Sequence, residues 1–300
     1  MKQGVIYAVV AYLSWGLLPL YWKLFEQISA LEILSHRIVW SFVFVAIVLL
    51  VMRRFKQMWG ILTDWRKRLT VALSAIFITA NWLIYIWAVN SGHVMETSLG
   101  YYMNPLVNVL FGVIFLKEKL NAGQWVAIAL AALGVSIITV EFGQFPWISI
   151  LLALSFAFYG LTKKVVKLDS LMSLAWETVV IFPIALIYLA TIHVQHTDTA
   201  FSMSPLMILL LALTGVATAL PLYWFAQATK TLSLTTVGFI QYLSPTTSLL
   251  LAIFVFKESF TTTDFISFVL IWLGLIVFTV TSFRAKQKAA NLPGKLEVTK

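Results

Sequence analysis

Apolar residues are arranged along this chain in ten long stretches, separated by short polar or charged segments. Each stretch is about 20 residues long, which is enough for an α-helix to cross a hydrocarbon core of roughly 30 Å. We therefore predict an all-α membrane protein with ten transmembrane helices. The predicted segments are residues 4 to 24, 32 to 52, 70 to 90, 97 to 116, 122 to 141, 146 to 163, 171 to 192, 205 to 228, 234 to 256 and 261 to 283.

A segment containing a proline occurs twice in the chain. Tyr102 and Pro105 align with Tyr242 and Pro245 at one constant offset, and Lys-Glu ends each copy. Proline removes a backbone donor and frees the carbonyl four residues earlier. In a membrane bundle, helices that are broken in this way tend to line cavities. The repeated segments therefore predict a pathway through the protein.

Each copy belongs to a unit of five segments. Because five is an odd number, the second unit must enter the membrane from the side opposite to the first, so the two units are inverted repeats. We predict these repeats over residues 1–141 and 142–283, followed by a disordered basic tail over residues 284–300. Inverted repeats are typical of secondary transporters, whose halves rock around a central site. Duplication without a transport role is the alternative.

Lysines and arginines are concentrated on one side of the predicted membrane. If the N-terminus is cytoplasmic, that side contains almost all of them, whereas Lys23 and Lys257 lie on the other side. Because positively charged loops are retained in the cytoplasm, we predict that both termini are cytoplasmic. This distribution also accounts for the net charge of +9 without a nucleic-acid partner.

The composition argues against several other classes of protein. The chain is 61% hydrophobic and 11% charged, and its mean hydropathy is +0.92. It has no cysteine, so disulfides and thiolate metal sites cannot form. The sequence shows no glycine-rich nucleotide loop and no pair of catalytic carboxylates, and its four histidines are not spaced as metal ligands. We therefore expect no metal, no cofactor and no enzymatic activity.

Two charged residues, Arg37 and Glu177, fall inside predicted segments at equivalent positions of the two repeats. A charge in the hydrocarbon region costs at least about 2.5 kcal/mol, so both are candidate residues of the transport pathway. Each lies near one end of its segment, and snorkelling to the interface is the alternative. Because inversion places them at different depths, we expect Arg37 to pair with Glu96, and Glu177 with Lys163 or Lys230.

Polar residues on four other segments complete the candidate pathway. Asn81 and Tyr85 share one helical face, and Tyr223 and Gln227 repeat that spacing. Hydrogen bonding between helices is the alternative role for these rows. The candidate substrate contacts flank Pro105 and Pro245, which are themselves candidate pathway residues, and are Tyr101, Tyr102, Asn104, Gln241, Tyr242 and Ser244.

Small residues form a row on the fifth segment. Ala127, Ala131, Ala132 and Gly134 would let another helix approach closely. We interpret this row as a helix-packing surface, with a homodimer interface as the alternative.

Together these features resemble the EamA family of the drug/metabolite transporter superfamily. The resemblance rests on the duplicated five-helix unit, the two prolines, the Lys-Glu pairs and Ser14-Trp15-Gly16 in the first segment. The stretches EILSHR at 32–37, ETSLGYYMNP at 96–105 and GFIQY at 238–242 are similar to the RarD subgroup of that family.

The resemblance implies a multi-pass permease of the bacterial inner membrane. Its central cavity would be made mainly by the first four helices of each half, with the fifth and tenth helices at the periphery. The implied activity is secondary transport of a small organic metabolite or drug by alternating access, with export the expected direction. Its partners would be that small-molecule substrate and the lipid bilayer. A membrane-embedded lipid-modifying enzyme and a non-transporting membrane scaffold are the alternatives from other classes.

Overall fold

Helices account for the regular secondary structure of the chain in a computed structural model, which describes residues 2–60, 64–91, 93–165, 168–200, 204–257 and 261–290. Ten spans within these residues are long and apolar enough to cross a membrane, so the predicted all-α membrane fold is confirmed. The helices are α1 (Lys2–Trp22), α2 (Ala30–Val51), α3 (Phe55–Gly60), α4 (Trp65–Asn90), α5 (Val94–Leu116), α6 (Ala122–Phe142), α7 (Trp147–Val165), α8 (Ser170–Val194), α9 (Pro205–Thr231), α10 (Leu234–Gln241), α11 (Leu243–Phe254) and α12 (Thr262–Ala290).

Short polar side chains fix where several helices begin. Ser29 accepts a hydrogen bond from a backbone N–H in the first turn of α2, and Asp169 and Ser233 do the same for α8 and α10. Asn121 forms a reciprocal capping box with Gln124 at the start of α6. These side chains satisfy backbone donors that have no partner inside their own helix.

One end of the bundle, which we call the lysine-rich end, is formed by the loops after α2, α5, α7 and α9. Arg54 Nη2 lies 3.1 Å from Asp169 Oδ2, which links the loop after α2 to the loop after α7. The carboxylate of Glu118 accepts hydrogen bonds from the backbone N–H groups of Leu234 and Thr235, over 2.6 and 2.9 Å. The loop after α5 is thus attached to the start of α10.

The opposite end of the bundle is held by a second carboxylate. Glu32, at the start of α2, is buried and accepts hydrogen bonds from the backbone N–H groups of Thr199 and Ala200, over 3.0 and 2.9 Å. Tyr21 donates a short hydrogen bond to the carbonyl of Leu210 in α9. Both ends therefore carry contacts between the first and second halves of the chain.

The packing of the helices follows a regular pattern. By position in the repeat, α1 corresponds to α7, α2 to α8, α4 to α9, α5 to α10 and α11, and α6 to α12. Contacts between α1 and α9 have their counterpart between α7 and α4, and contacts between α1 and α11 have theirs between α7 and α5. The pairs α2 with α8, α5 with α10, and α6 with α12 each join corresponding helices.

The two proline segments differ in the structure. Helix α5 continues through Pro105 without interruption. In the second copy, α10 ends at Gln241 and α11 begins at Leu243, shortly before Pro245. The expected break is therefore present in the second copy, and for Pro105 it was wrong. Neighbouring helices in a bundle can hold a proline-containing helix together, and α5 packs closely on α7 and α10.

The row of small residues on α6 is covered by α12. Ala127, Ala131 and Gly134 are buried, and a Cβ atom added at Gly134 would lie 2.7 Å from the carbonyl oxygen of Ser267 in α12. The row is thus a packing surface within the chain, as interpreted from the sequence. A homodimer formed through another surface stays a prediction.

The basic tail begins later than predicted. Helix α12 continues through Arg284 to Ala290, where we expected a disordered segment. The rest of the predicted tail, and Glu258 of the second Lys-Glu pair, lie outside the described residues. The residues from Arg284 to Ala290 are arginine, lysine, glutamine and alanine, which favour a helix, so they extend α12 past its apolar segment.

Candidate functional site

Arg37 lies among aromatic rings from three helices. Its Cζ atom is 4.5 Å from the ring centroid of Trp22 and 5.9 Å from that of Trp82. Its Nε donates a hydrogen bond to Thr218 Oγ1 over 3.0 Å. Tyr85 and Tyr101 lie close enough to interact with its charge, and their rings are 6.1 Å apart. The structure thus brings three of the predicted site residues, Arg37, Tyr85 and Tyr101, together.

The predicted pair of Arg37 with Glu96 is not formed. Glu96 is buried, and its Oε1 lies 2.7 Å from His93 Nδ1. Among the residues that the structure describes, no carboxylate lies within 4.0 Å of a charged nitrogen of Arg37, and Glu177 also binds elsewhere. The prediction was wrong because His93, three residues before Glu96 in the chain, is the nearer partner and the sequence analysis had not considered it.

Glu177 forms a buried ion pair with Lys163, as predicted. Lys163 Nζ lies 2.5 Å from Glu177 Oε1, and neither side chain is more than 4% exposed. Ser173 donates to the same carboxylate oxygen over 3.0 Å, and Tyr159 donates to the other over 3.2 Å. Both oxygens of Glu177 are therefore satisfied, which a carboxylate removed from water requires.

A small pocket, which we call the central cavity, lies between α2, α4, α8 and α9. Trp82 and Thr218, which contact Arg37, line one part of it, and Glu177 lines another. A second small cavity lies on the other side of the ion pair and is lined by Lys163 and Ser173. The pair of Lys163 with Glu177 thus stands between a central cavity and a cavity at the lysine-rich end.

Aromatic side chains pack tightly beside these cavities. The rings of Tyr159 and Phe225 are stacked with centroids 5.7 Å apart, and Trp15 contacts Phe225 and Phe156 at 5.8 Å each. Tyr12 contacts Trp15 at 5.5 Å. These rings come from α1, α7 and α9, so they join the first and second halves of the chain.

A chain of amides connects α5 to α10. Asn108 Nδ2 donates to Gln241 Oε1 over 2.6 Å and to Asn104 Oδ1 over 3.1 Å. The hydroxyl of Tyr12 donates to the same Gln241 oxygen over 3.4 Å. Asn104 and Gln241 were predicted site residues, whereas Asn108 was missed. Its position one helical turn after Asn104 is the feature that could have indicated it.

Tyr102 and Tyr242 lie away from Arg37. Tyr242 is buried against Ala131 of α6 and Ile271 of α12, and the Tyr102 ring contacts Phe268 of α12 at 5.3 Å. The two tyrosines therefore belong to the packing of the α6 and α12 pair. Helical periodicity alone did not indicate this, because both faces of their segments are occupied by other helices.

Of the two polar rows, Asn81 takes the alternative role of hydrogen bonding between helices. Asn81 Nδ2 donates to the carbonyl of Leu152 over 2.9 Å and to Ser155 Oγ over 3.0 Å, so it joins α4 to α7. Gln227 Nε2 donates a hydrogen bond to the hydroxyl oxygen of Tyr223 over 2.7 Å, and both residues belong to α9. Within the described residues, neither Asn81 nor Gln227 is hydrogen-bonded to Arg37.

The aromatic partners of Arg37 were also missed by sequence reasoning. Trp22 and Trp82 are two of 12 tryptophans in the chain, and Thr218 is an ordinary helical threonine. Aromatic residues are common near membrane interfaces, where they need no functional role. No spacing in the sequence distinguishes these three residues from others of their kind.

Comparisons with known proteins agree with this architecture. The EamA-like transporter family matches residues 2–140 and 146–280. The "Uncharacterized transporter YojE" of Bacillus subtilis is 48% identical over 97% of this chain and 98% of its own length. "Protein RarD" of Salmonella typhi is 40% identical over 96% of this chain and 98% of its own length. A solved structure described as "Crystal structure of protein" has a TM-score of 0.71 at 15% identity, covers 93% of this chain and 98% of its own, and indicates the fold alone.

Proposed function

Because the chain belongs to the EamA-like transporter family and is a multi-pass transporter of the bacterial inner membrane, we propose that it is a secondary transporter that works by alternating access. Its substrate is a small organic metabolite or drug, and export is the direction that the family resemblance implies. Substrate binds between the two halves of the chain, which move relative to one another around it.

The position of the central cavity is the observation that carries this proposal. The cavity is lined by Ser41 and Trp82 from the first half and by Glu177 and Thr218 from the second. In secondary transporters built from repeats, the substrate site lies at the interface between the repeats. A cavity at this interface changes shape when the halves move, which is what alternating access needs.

The pairing of helices supports an inverted repeat. The largest contacts between transmembrane helices of the two halves have a counterpart when each helix is replaced by its equivalent, as with α1 on α9 and α7 on α4. Two arrangements related by exchanging the roles of the halves would then be similar in energy. We propose that these arrangements are the two states of the transport cycle.

The contacts at the lysine-rich end act as the gate on that side. Lys163 and Glu177 separate the two cavities, and Arg54 with Asp169 and the bonds from Leu234 and Thr235 to Glu118 hold the loops together. A path from the central cavity to this end requires the pair of Lys163 with Glu177 to open. Because buried ion pairs are costly to separate unless both partners find new contacts, substrate binding must supply part of that energy.

Flux through purified protein in liposomes tests the proposal. Proteoliposomes are loaded with a mixture of small bacterial metabolites, diluted, and assayed for released compounds by mass spectrometry, with protein-free liposomes as the control. We expect one chemical class to be released at a rate that saturates with internal concentration and that is inhibited by an excess of the same compound outside. A lipid-modifying enzyme or a scaffold would show no saturable release, and modification of the liposome lipids would identify the enzyme.

A further inference from the structure

The guanidinium of Arg37 is only partly engaged by the protein. Its Nε donates to Thr218, and the Trp22 and Trp82 rings lie near the charge. Its two terminal nitrogens make no hydrogen bond to any residue in the described part of the chain. Arg37 itself is partly exposed, so these nitrogens can be reached from the space around it. A guanidinium has five N–H donors in a fixed planar arrangement, and only the one on Nε is in use here. The edge formed by the terminal nitrogens is free to bind a planar anion.

In the part of the chain that the structure describes, no carboxylate forms an ion pair with Arg37. The buried carboxylates near the membrane-spanning helices are bound elsewhere: Glu32 to backbone N–H groups, Glu96 to His93 and Glu177 to Lys163. Cation–π contacts with tryptophan stabilise the charge by less than the free energy that removing an ion from water costs. An anion bound at Arg37 would offset the remainder.

The surroundings of Arg37 define which anion fits. A single positive charge balances a single negative charge, and the buried Lys163 is already paired with Glu177. The parallel N–H groups of a guanidinium match the two oxygens of a carboxylate. The rings of Trp22, Trp82 and Tyr101 around it offer apolar and aromatic faces to the rest of a molecule.

We propose that Arg37 is the anion-recognition residue of the substrate site and that the substrate is a small organic monocarboxylate with an apolar or aromatic body. The carboxylate accepts hydrogen bonds from the terminal nitrogens of Arg37, and the body extends toward Trp82 and the central cavity. The inference rests on the proposed transport function in calling the bound carboxylate a substrate. Binding of a carboxylate at Arg37 can be measured without transport.

Binding to the purified protein tests the inference without transport. The probes are pairs of equal shape, benzoate with benzamide and indole-3-acetate with indole-3-acetamide, together with acetate and phenyl phosphate. Binding to the folded state raises the unfolding temperature in proportion to ln(1 + [L]/Kd). We expect the aromatic carboxylates to stabilise the protein, their amides to have a much weaker effect, and phenyl phosphate to bind less tightly than benzoate.

Variants of Arg37 identify the site. Arg37→Gln should weaken carboxylate binding on the order of tenfold to a hundredfold, since hydrogen bonds to charged groups contribute about that much. Arg37→Lys keeps the charge but not the forked donors, so its affinity for carboxylates should lie between those of the parent protein and Arg37→Gln. Arg66→Gln, at an exposed arginine at the start of α4, is the matched control and should bind like the parent protein.

Several results would overturn the inference. The first is that each amide binds as tightly as its carboxylate, and the second is that phenyl phosphate binds more tightly than benzoate. The third is that no carboxylate binds. The fourth is that a folded Arg37→Gln variant binds carboxylates with unchanged affinity. The amide comparison uses the unmodified chain, so it decides even if Arg37→Gln does not fold. Saturable flux of a neutral or cationic compound that is unchanged by Arg37→Gln would contradict the carboxylate inference and leave the transport proposal intact. Carboxylate binding without saturable flux of any compound would instead contradict the transport proposal.

Discussion

Lys163 donates a 2.5 Å hydrogen bond to Glu177 inside the bundle, where neither side chain is more than 4% exposed. The two residues come from α7 and α8, and their contact separates the central cavity from the one at the lysine-rich end. The carboxylate is also bound by Ser173 and Tyr159. Such a network is stable when complete and unstable when one charge is removed.

Removing one charge of this pair should therefore destabilise the protein more than removing both. Lys163→Met or Glu177→Leu alone should cost about 3 to 5 kcal/mol, because each leaves an uncompensated buried charge, and the double variant should recover most of that loss. Thermal unfolding in detergent measures the double-mutant cycle. The control is Lys67→Met, whose ion pair with Asp64 is 46% and 40% exposed and should contribute little. Additive losses in the double variant would show that the two charges do not stabilise one another.

The loss of stability of the protein at acidic pH should come in part from Asp169. Burial raises the pKa of this carboxyl, but the backbone N–H of Met172 and the guanidinium of Arg54 outweigh it, so the pKa lies below its ordinary value of 3.8. The stabilisation that its charge provides is therefore present above the ordinary pKa and is lost as the pH falls through the lowered value in the folded protein.

We expect Asp169→Asn to lower the unfolding temperature near neutral pH and to flatten its decline between about pH 5 and pH 2. Asp169 is also the N-cap of α8, and the amide oxygen of asparagine can retain that role, so the variant removes the charge and the bond from Arg54 but keeps the cap. Glu141→Gln, at an exposed carboxylate at the end of α6, is the control. A decline as steep as that of the parent protein would rule out Asp169 as a source of the acid sensitivity.

The positions of the membrane helices could be predicted from the sequence because hydrophobic length is a local property. The segment predicted over residues 122 to 141 is Ala122–Phe142 in the structure. The partner of Glu177 could also be predicted, because depth in the membrane and charge leave few cations within reach. Local chemistry and the thickness of the membrane are enough for both.

The surroundings of Arg37 depend on tertiary packing and could not be predicted in the same way. Trp22, Trp82 and Thr218 come from three helices far apart in the chain, and their meeting follows from the rotation of each helix about its own axis. A segment that is apolar on all sides gives little information about that rotation. The same limitation explains why Tyr242 was assigned to the pathway, although it faces α6 and α12.

The orientation of the protein in the membrane is a prediction that labelling can test. The chain has no cysteine, so single cysteines give no background. Gly143→Cys and His196→Cys, at exposed sites of the opposite end, should react with an impermeant thiol reagent in spheroplasts. Gln57→Cys, at an exposed site of the lysine-rich end, should react only after the membrane is permeabilised. Reaction of Gln57→Cys in intact spheroplasts would reverse the orientation that the positive charges indicate.

The contact between Gly238 and Pro105 should be intolerant of even one added methyl group. Helices α10 and α5 approach so closely that a Cβ atom at Gly238 would lie 2.7 Å from the backbone carbonyl oxygen of Pro105 and 3.1 Å from Asn108 Cβ. Backbone atoms cannot rotate out of the way as a side chain can, so the helices must separate.

Gly238→Ala should therefore destabilise the protein by about 1 to 3 kcal/mol, the usual cost of overpacking. It should also slow flux into or out of proteoliposomes, because the hydrogen bond from Asn108 to Gln241 joins the same two helices. Gly60→Ala is the matched control: nothing lies within 4 Å of a Cβ atom at that position in α3, and alanine favours a helix by roughly 0.5 to 1 kcal/mol over glycine. Thermal unfolding and flux are measured on both variants. If Gly238→Ala were as stable and as active as Gly60→Ala, the close approach of α5 and α10 would not be required in any state of the cycle.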